Sequence, residues 1–276
     1  MAGEPEPPTS VGSLTTRIRS IARDEVEAGQ LETIMAMVAI AQMLPPGAVK
    51  GGAGLKIRLG SGTTRFSQDL DVARSGTLEE FQDVLTKNLR SGWQGFTGRV
   101  IKGSKARPRN VPTDYVMQPF TIELLFNGHT WMGIPLEVTH DELELLDEAE
   151  LILTQDIAEL FTRVGLQAPK QVPVISVRAQ VAQKLHAITL ENSDRAHDLV
   201  DLQLLVDVQT LDFAALKSIC IRLFNFRKRQ AWPPEINFSQ EWKELYLVAA
   251  TGVDVIPSAS EAIQWLQDLI DGIDNA

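Results

Sequence analysis

Apolar residues in the first part of the chain recur at helical spacing. Residues 11–44 are predicted to form two helices that separate near Gly29. The apolar side chains that repeat every three or four residues in the second helix are Ile34, Met37, Val38 and Ala41. Two prolines and a glycine follow, and a proline cannot continue a helix. The pattern therefore predicts that this helix ends before residue 45.

Shorter apolar runs then predict strands. Residues 48–50 are expected to form a short buried strand that leads directly into a helix at residues 52–59, and a second strand is expected at residues 69–74. Thr77 and Glu80 have the spacing of a capping box, which predicts the start of a helix. Three further strands are predicted at residues 95–101, 117–126 and 132–139, with Asn127-Gly128 as the hairpin turn between the last two.

The chain changes character after residue 140. Residues 141–159 hold eight acidic residues and no basic one, and the periodicity beyond them is mainly helical. We therefore expect an N-terminal lobe at residues 11–150 and a helical C-terminal lobe at residues 151–276. Residues 1–10 are rich in proline and glutamate, which predicts a disordered tail.

Composition excludes several classes of protein. The 276 residues are 44% hydrophobic and 22% charged, as in ordinary globular proteins. Cys220 is the sole cysteine, so no intramolecular disulfide can form, which favours a reducing compartment. The first ten residues lack the pattern of a signal peptide, and the longest apolar run, residues 34–44, is too short to span a bilayer. We expect a cytoplasmic protein without membrane contact.

Basic residues are concentrated in one segment of an acidic chain. The net charge is −10, yet residues 84–113 contain seven bases and no acid. A local basic surface on an otherwise acidic protein is compatible with binding one end of a nucleic acid. The bases near the predicted loop of this segment are Lys102, Lys105, Arg107 and Arg109.

Candidate chemistry is concentrated in residues 50–71. Because successive side chains of a strand alternate between its faces, Asp69 and Asp71 are predicted to point the same way, roughly 6 to 7 Å apart. Two such carboxylates suit a pair of Mg²⁺ ions, as used for in-line phosphoryl displacement. Gly51 and Gly52 let the backbone approach a ligand, and a helix that starts there directs its N–H groups at a phosphate. Together these features predict a nucleoside triphosphate site.

Two motifs in this stretch carry a resemblance to a known family. They are K-G-G-x-x-L from Lys50 and R-F-S-x-D-L-D from Arg65. In this order they resemble the AbiEii/AbiGii-type nucleotidyltransferase toxins, including the MenT-type toxins, within the polymerase-β-like nucleotidyltransferase superfamily. The resemblance implies an α+β fold, in which a short mixed sheet carries the Asp69–Asp71 strand and a mostly helical C-terminal lobe closes over a nucleotide cleft.

The resemblance also suggests further site residues in the N-terminal lobe. Contacts with the phosphates are expected from Lys50, Gly51, Gly52, Lys56 or Arg58, and from Arg65 and Ser67 beside the metal ions. Members of the superfamily have a third carboxylate on a later strand. Glu137 is the candidate for it, with Glu123 as the rival.

A second motif lies in the C-terminal lobe. The family's pattern A-x-K-L followed by R-D-L-x-D-L resembles residues 182–185 and 197–202, although His197 stands where the pattern has arginine. This departure puts a guanidinium role at that position in doubt. Lys184 is expected to stabilise charge on the leaving pyrophosphate, and Asp198 or Asp201 to hold its ammonium by a charge-assisted hydrogen bond.

The function implied by the resemblance is that of a toxin of a toxin–antitoxin pair. Such an enzyme transfers nucleotides from NTP to the 3′ end of tRNA, with Mg²⁺ as cofactor and release of pyrophosphate, and has a cognate antitoxin protein as partner. Residue chemistry alone does not fix the acceptor. Two alternatives stay open: nucleotidyl or phosphoryl transfer to a protein, and a non-catalytic nucleotidyltransferase-like module that binds a partner.

Overall fold

The computed structural model describes residues 5–103 and 118–276, and these form an α+β structure that confirms the predicted fold class. The helices are α1 (Val11–Ile21), α2 (Glu25–Ala41), α3 (Gly51–Leu59), α4 (Leu78–Ser91), α5 (Gln155–Arg163), α6 (Val177–Ile188), α7 (His197–Val208), α8 (Phe213–Arg227), α9 (Gln240–Ala249) and α10 (Ala259–Asp274). The strands are β1 (Gly47–Lys50), β2 (Leu70–Arg74), β3 (Phe96–Lys102), β4 (Gln118–Phe126), β5 (His129–His140), β6 (Glu150–Ile152) and β7 (Val172–Val174). No helix in these ranges is long and apolar enough to cross a membrane.

The strands form one mixed sheet in the order β3-β4-β5-β2-β1-β7-β6. β2 runs parallel to β5 and antiparallel to β1, so these three strands are neighbours in the centre of the sheet. The hairpin between β4 and β5 turns at Asn127 and Gly128, which both have positive φ, as the sequence predicts. The capping box of α4 is confirmed as well, since Thr77 and Glu80 exchange both hydrogen bonds.

The described residues divide into two compact units. The first contains the chain up to Gly62 together with Phe66–Ile175, and the second contains Thr63–Arg65 and Ser176–Ala276. This division lies further along the chain than the predicted boundary at residue 150. The physical reason is that β7 pairs with β1, and β6 pairs with β7, so both short strands extend the sheet of the first unit.

The first unit buries its apolar core against the sheet. Helix α2 is buried along most of its second half, where Met35, Met37 and Ile40 are inaccessible to solvent. The break between α1 and α2 falls at residues 22–24, so its prediction near Gly29 is wrong. Asp24 caps α2 by accepting a hydrogen bond from the Glu27 N–H, and this side-chain cap fixes the helix start more strongly than a glycine inside the helix breaks it.

Residues 5–10 belong to the segment predicted as a disordered tail. Within it, Pro8 is buried, and its carbonyl accepts a hydrogen bond from the Asn127 side chain at 3.4 Å. The guanidinium of Arg17 donates to the carbonyl of Glu6 and, at 2.8 Å, to that of Val164. Residues 1–4 lie outside the described residues.

The second unit is helical. Helix α6 packs against both α7 and α8, and α10 packs against α8 and α9. Each of α6, α8, α9 and α10 starts at a residue whose side chain accepts a backbone N–H three residues on. Gln203 of α7 and Tyr246 of α9 are joined by a 3.0 Å hydrogen bond, and the Tyr246 hydroxyl donates to the carbonyl of Ile256. These buried polar contacts fix α9 to the α6–α7 pair.

Candidate active site

Three charged side chains lie side by side across the centre of the sheet. Lys50 at the end of β1 is the register partner of Asp71 on β2, and Asp71 is in turn the register partner of Glu137 on β5. Asp69 precedes β2 by one residue, so it lies in the approach to the strand, not within it. All four side chains are at least partly accessible to solvent.

Gly51 makes room for the Asp71 carboxylate. Its φ is +62°, a left-handed conformation that glycine adopts without strain, and a Cβ there would lie 1.9 Å from Asp71 Oδ2. Helix α3 begins at this glycine, and its N-cap residue Lys50 makes no side-chain capping hydrogen bond. The first turn of α3 and the Asp71 carboxylate are therefore in direct contact.

The electrostatics of these carboxylates reflect like charges held close together. Burial, the Asp71 charge and a hydrogen bond to Asp71 raise the pKa of Glu137 to about 7, and Lys50 opposes the rise. The protonated Glu137 donates this hydrogen bond. Burial and the neighbouring Asp71 also raise the pKa of Asp69. A cation at this place would relieve the repulsion that now holds a proton on the cluster.

The donor set fits a hard divalent cation in its chemistry. Carboxylate oxygens are the ligands that Mg²⁺ prefers, and Asp71 and Glu137 are register partners on the adjacent strands β2 and β5. Within residues 5–103 and 118–276, no three or more His, Cys, Asp or Glu side chains surround a common point in the way a metal centre requires. These carboxylates therefore suit a divalent cation by the chemistry of their donor atoms and by their negative charge.

The structure separates the two candidates for the third carboxylate. Glu123 lies on β4, opposite Gly133, and forms an ion pair with Arg99 at 2.9 Å. Strand β4 is a neighbour of β5 and β3, whereas Asp71 lies on β2. Glu137, and not Glu123, is the glutamate that the sheet brings beside Asp71.

Two predicted phosphate contacts are buried inside the first unit. Lys56 is 3% exposed and donates to the carbonyl of Ser61 at 3.2 Å. Arg58 is 8% exposed and is held between the Glu150 carboxylate, at 2.5 Å, and the Ile175 carbonyl, at 3.0 Å. These contacts give both side chains a structural role in fixing α3 to its neighbours. Ser67 is a partly buried residue of the segment that leads to β2.

A second set of predicted residues meets in the helical unit. Lys184 on α6 donates to Asp198 and to Asp201 on α7, both at 2.7 Å. Arg65 binds Asp201 through two parallel hydrogen bonds of 2.9 and 2.8 Å. Both aspartates are 0% exposed. The structure thus brings Lys184, Asp198, Asp201 and Arg65 together in one buried ion network.

Arg195 is the member of this network that sequence reasoning missed. Its guanidinium lies 2.5 Å from Asp198 Oδ2, whereas His197 approaches Asp198 only to 3.8 Å. The available signal was the i,i+3 spacing of Arg195 and Asp198, although Arg195 lies just before α7 and not within it. Arg195 therefore adds a guanidinium group to the network beside Asp198.

The charges in this network balance the buried acids. Burial alone would raise the pKa of Asp198, but Lys184 and Arg195 hold that pKa well below its ordinary value. Burial lowers the pKa of Lys184, and the two aspartates more than reverse this, so its pKa is raised. In this network the side chains of Asp198 and Asp201 face the ammonium of Lys184 and the guanidinium groups of Arg65 and Arg195.

Three of the predicted basic residues lie outside the described residues: Lys105, Arg107 and Arg109. Lys102, at the end of β3, is exposed. Lys87 and Arg90 are exposed on α4, where they line a shallow depression together with Asp83.

A mixed sheet with acidic residues at the start of its central strand, followed by a helical unit with a buried Lys–Asp network, defines a protein of the nucleotidyltransferase class. Comparison with known proteins identifies the family. The family model described as nucleotidyl transferase AbiEii toxin of type IV toxin–antitoxin systems matches residues 34–266. The chain therefore belongs to the AbiEii nucleotidyltransferase toxin family, as its two motifs predicted.

The fold resembles that of a solved nucleotidyltransferase toxin. MenT4, a nucleotidyltransferase toxin from Mycobacterium tuberculosis, is 15% identical, with a TM-score of 0.55 over 95% of this chain and 98% of MenT4. JHP933 from Helicobacter pylori is 17% identical, with a TM-score of 0.48 over 91% of this chain and 93% of JHP933. No curated protein sequence matches the chain. Membership of the family makes this protein a nucleotidyltransferase, and it implies an NTP substrate and an antitoxin partner.

Proposed function

We propose that this enzyme transfers a nucleotide from NTP to the 3′ end of tRNA in a Mg²⁺-dependent reaction that releases pyrophosphate. The observation that carries the proposal is the contact between Asp71 and Glu137, which the register of β2 and β5 creates. Like charges placed this close are destabilising unless a proton or a cation lies between them. A site for a metal ion and a triphosphate requires carboxylates of this kind next to the first turn of a helix such as α3.

The carboxylates would hold the metal. Asp69, Asp71 and Glu137 supply oxygen donors, and Mg²⁺, when bound, offsets charge that develops on the transferred phosphoryl group. In its absence the Glu137 proton occupies the contact with Asp71. Metal binding then means that a cation replaces a proton.

The backbone and side chains at the start of α3 would face the phosphates. Lys50 carries a positive charge at the register position next to Asp71, and Gly51 and Gly52 provide the N–H groups of a helix N-terminus. We assign Ser67 to the same site because it precedes Asp69 by two residues. Lys56 and Arg58 are left out of this assignment, since their buried contacts explain them.

Two cationic side chains of the helical unit differ in their exposure. The Arg65 side chain is 21% exposed while it binds Asp201, whereas the Lys184 side chain is 7% exposed. Arg65 is therefore the better placed of the two to contact a phosphate directly. Asp198 and Asp201 act as positioning residues, because they hold Lys184 and Arg65 without access to solvent.

The experiment is transfer of label from each α-³²P-labelled NTP in turn to total tRNA in the presence of Mg²⁺. We expect one or two of the four NTPs to label tRNA, and Asp71→Ala to abolish the label. Asp83→Ala is the matched control, because Asp83 is an exposed carboxylate of the same unit that lies on α4. Label on protein and none on RNA would move the acceptor to protein, and no label on either would contradict catalysis.

The choice of RNA as acceptor has a separate test. Neutralising Lys102, Lys105, Arg107 and Arg109 together should weaken RNA binding at low salt and leave NTP binding unchanged. The physical reason is that each phosphate contact contributes through release of counterions, so the slope of affinity against salt should also fall. Unchanged RNA affinity would contradict the proposed contact.

A further inference from the structure

An open cavity of about 940 Å³ lies in the helical unit, in a part of the chain to which the transfer reaction assigns no role. It is formed by the loop that follows α6, the segment between α8 and α9, and the first half of α9. Nothing in the proposed reaction requires it. Its lining combines two features that favour binding of a ligand, namely negative charge and exposed apolar surface.

The first feature is an excess of negative charge. Four carboxylates line the cavity, and one basic side chain, Arg229, accompanies them. The acidic residues are Glu191, Asp194, Glu235 and Glu241. Such a rim attracts a cationic ligand and repels the phosphates of a nucleic acid.

The second feature is apolar surface on α9. Leu245 lines the cavity and is 46% exposed, and Val248, three residues on and so on the same helical face, is 75% exposed. Phe238 also lines the cavity, where its ring stacks on Trp242 with centroids 3.8 Å apart and planes 4° from parallel. Exposed apolar side chains grouped at a concave site are typical of protein interaction surfaces.

We propose that this cavity and the adjoining face of α9 bind a basic, apolar segment of a partner protein. Leucine-like side chains of the segment would cover Leu245 and Val248, and its lysine or arginine side chains would face the four carboxylates. This is the arrangement of a helix or an extended peptide that docks in a groove with complementary charge at its rim. The inference does not rest on the transfer reaction, so either can fail without the other.

Two other occupants fit less well. RNA would place its phosphates against the acidic rim. A second copy of this chain would bring a further net charge of −10 to the contact. Both are distinguished by the experiment below.

The test measures binding of a fluorescein-labelled synthetic peptide, which places leucine and lysine at helical spacing, by anisotropy at low ionic strength. The charge variant is Glu191→Gln/Asp194→Asn/Glu235→Gln. Its control is Asp207→Asn/Asp254→Asn/Asp268→Asn, which removes three exposed carboxylates of the same unit outside the cavity lining. We expect the charge variant to bind about tenfold more weakly and the control to bind as the wild type does.

A second pair of variants tests the apolar face. Leu245→Ser/Val248→Ser should weaken peptide binding by about tenfold or more, because the apolar contact area is lost. Val26→Ser/Val84→Ser is the control, since both valines are exposed apolar residues on helices of the first unit. Circular dichroism melting curves should coincide for all variants, as each replaces exposed side chains.

Several outcomes would overturn the proposal. Equal weakening by the charge variant and its control would show attraction to net charge alone. Binding of a single-stranded RNA oligonucleotide that is lost in Leu245→Ser/Val248→Ser would assign the face to RNA. Concentration-dependent dimerisation in sedimentation equilibrium that is lost in the same variant would assign it to a second copy of the chain.

Discussion

The two carboxylate clusters of this protein are built from the same residue types and differ in how their charge is balanced. In the first unit, Asp69, Asp71 and Glu137 approach one another with Lys50 as the neighbouring cation, and the pKa values of Asp69 and Glu137 are raised. In the second unit, the buried Asp198 and Asp201 are matched by three cationic side chains, and the pKa of Asp198 is lowered.

The difference separates a site that needs an added cation from a network that is already complete. Buried carboxylates cost free energy unless they are paired. In the second unit, ion pairs with Lys184, Arg65 and Arg195 offset this cost. In the first unit, a raised carboxylate pKa means that a bound proton offsets part of it. A metal ion and a triphosphate are therefore expected to bind at the first cluster. The second cluster is expected to stabilise the fold and, through its two aspartates, to position its cationic side chains.

The largest expected effect is on catalysis at the first cluster. Asp71→Asn removes one charge from the proposed metal site and should lower the rate of nucleotide transfer by about 10³-fold, since electrostatic stabilisation of this kind contributes several kcal/mol. The same change relieves repulsion with Glu137, so the free energy of unfolding should stay equal or increase. The transfer rate is measured from initial rates and the free energy of unfolding from urea denaturation, on the same preparation and with Asp83→Asn as the control. A stability loss that matches the loss of rate would contradict the comparison.

The opposite pattern is expected at the second cluster. Asp198→Asn leaves Arg195 and Lys184 with a missing partner, and breaking a buried ion pair from one side costs about 3 kcal/mol or more. Urea denaturation should show this loss of stability, whereas Asp207→Asn, at the exposed end of the same helix, should leave the midpoint unchanged. If Asp198→Asn were as stable as the wild type, the network would not be the stabilising element described here.

Much of the fold follows from local sequence. The capping box at Thr77 and the Asn127-Gly128 turn are confirmed because backbone hydrogen bonding over three or four residues determines them. The break near Gly29 is wrong because the competing Asp24 cap sets the helix start. The boundary predicted at residue 150 differs from the observed division because β6 and β7 join the sheet through pairing that is distant in sequence.

The sequence allowed the residue types of the candidate site to be predicted. It was a poorer guide to which contacts each of these residues makes. Asp71 was a candidate because of its strand pattern, and Glu137 because of the family resemblance. Only the parallel register of β2 and β5 makes them neighbours. Lys56 and Arg58 have the right charge for phosphate, and tertiary contacts bury them instead. Charge balance depends on groups that are far apart in sequence, since Arg65 and Asp201 are separated by 136 positions along the chain.

A smaller effect would test the contact between α3 and Asp71. Gly51→Ala forces a left-handed conformation on an L-residue, which costs about 1–2 kcal/mol, and it places a Cβ against the Asp71 carboxylate. In the Asp71→Ala background the second cost should disappear, so the two changes should be non-additive in the free energy of unfolding. Gly128→Ala is the control, because Gly128 also has positive φ and a Cβ there has no neighbour within 4 Å. Full additivity would contradict the packing of Gly51 against Asp71.

The smallest effect concerns the pH dependence of the second cluster. Burial, together with Arg65 and Arg195, lowers the pKa of His197 below its ordinary value of about 6.5, although Asp198 and Asp201 oppose the change. Because the folded-state pKa is the lower one, the unfolded chain binds the proton more readily. The associated stability is therefore present above about pH 6.5 and is lost as the pH falls through the folded pKa.

His197→Gln should show a smaller decrease in the free energy of unfolding over this range, measured by urea denaturation across a pH series. Identical pH profiles for the variant and the wild type would mean that burial and the neighbouring guanidinium groups do not lower the pKa of His197.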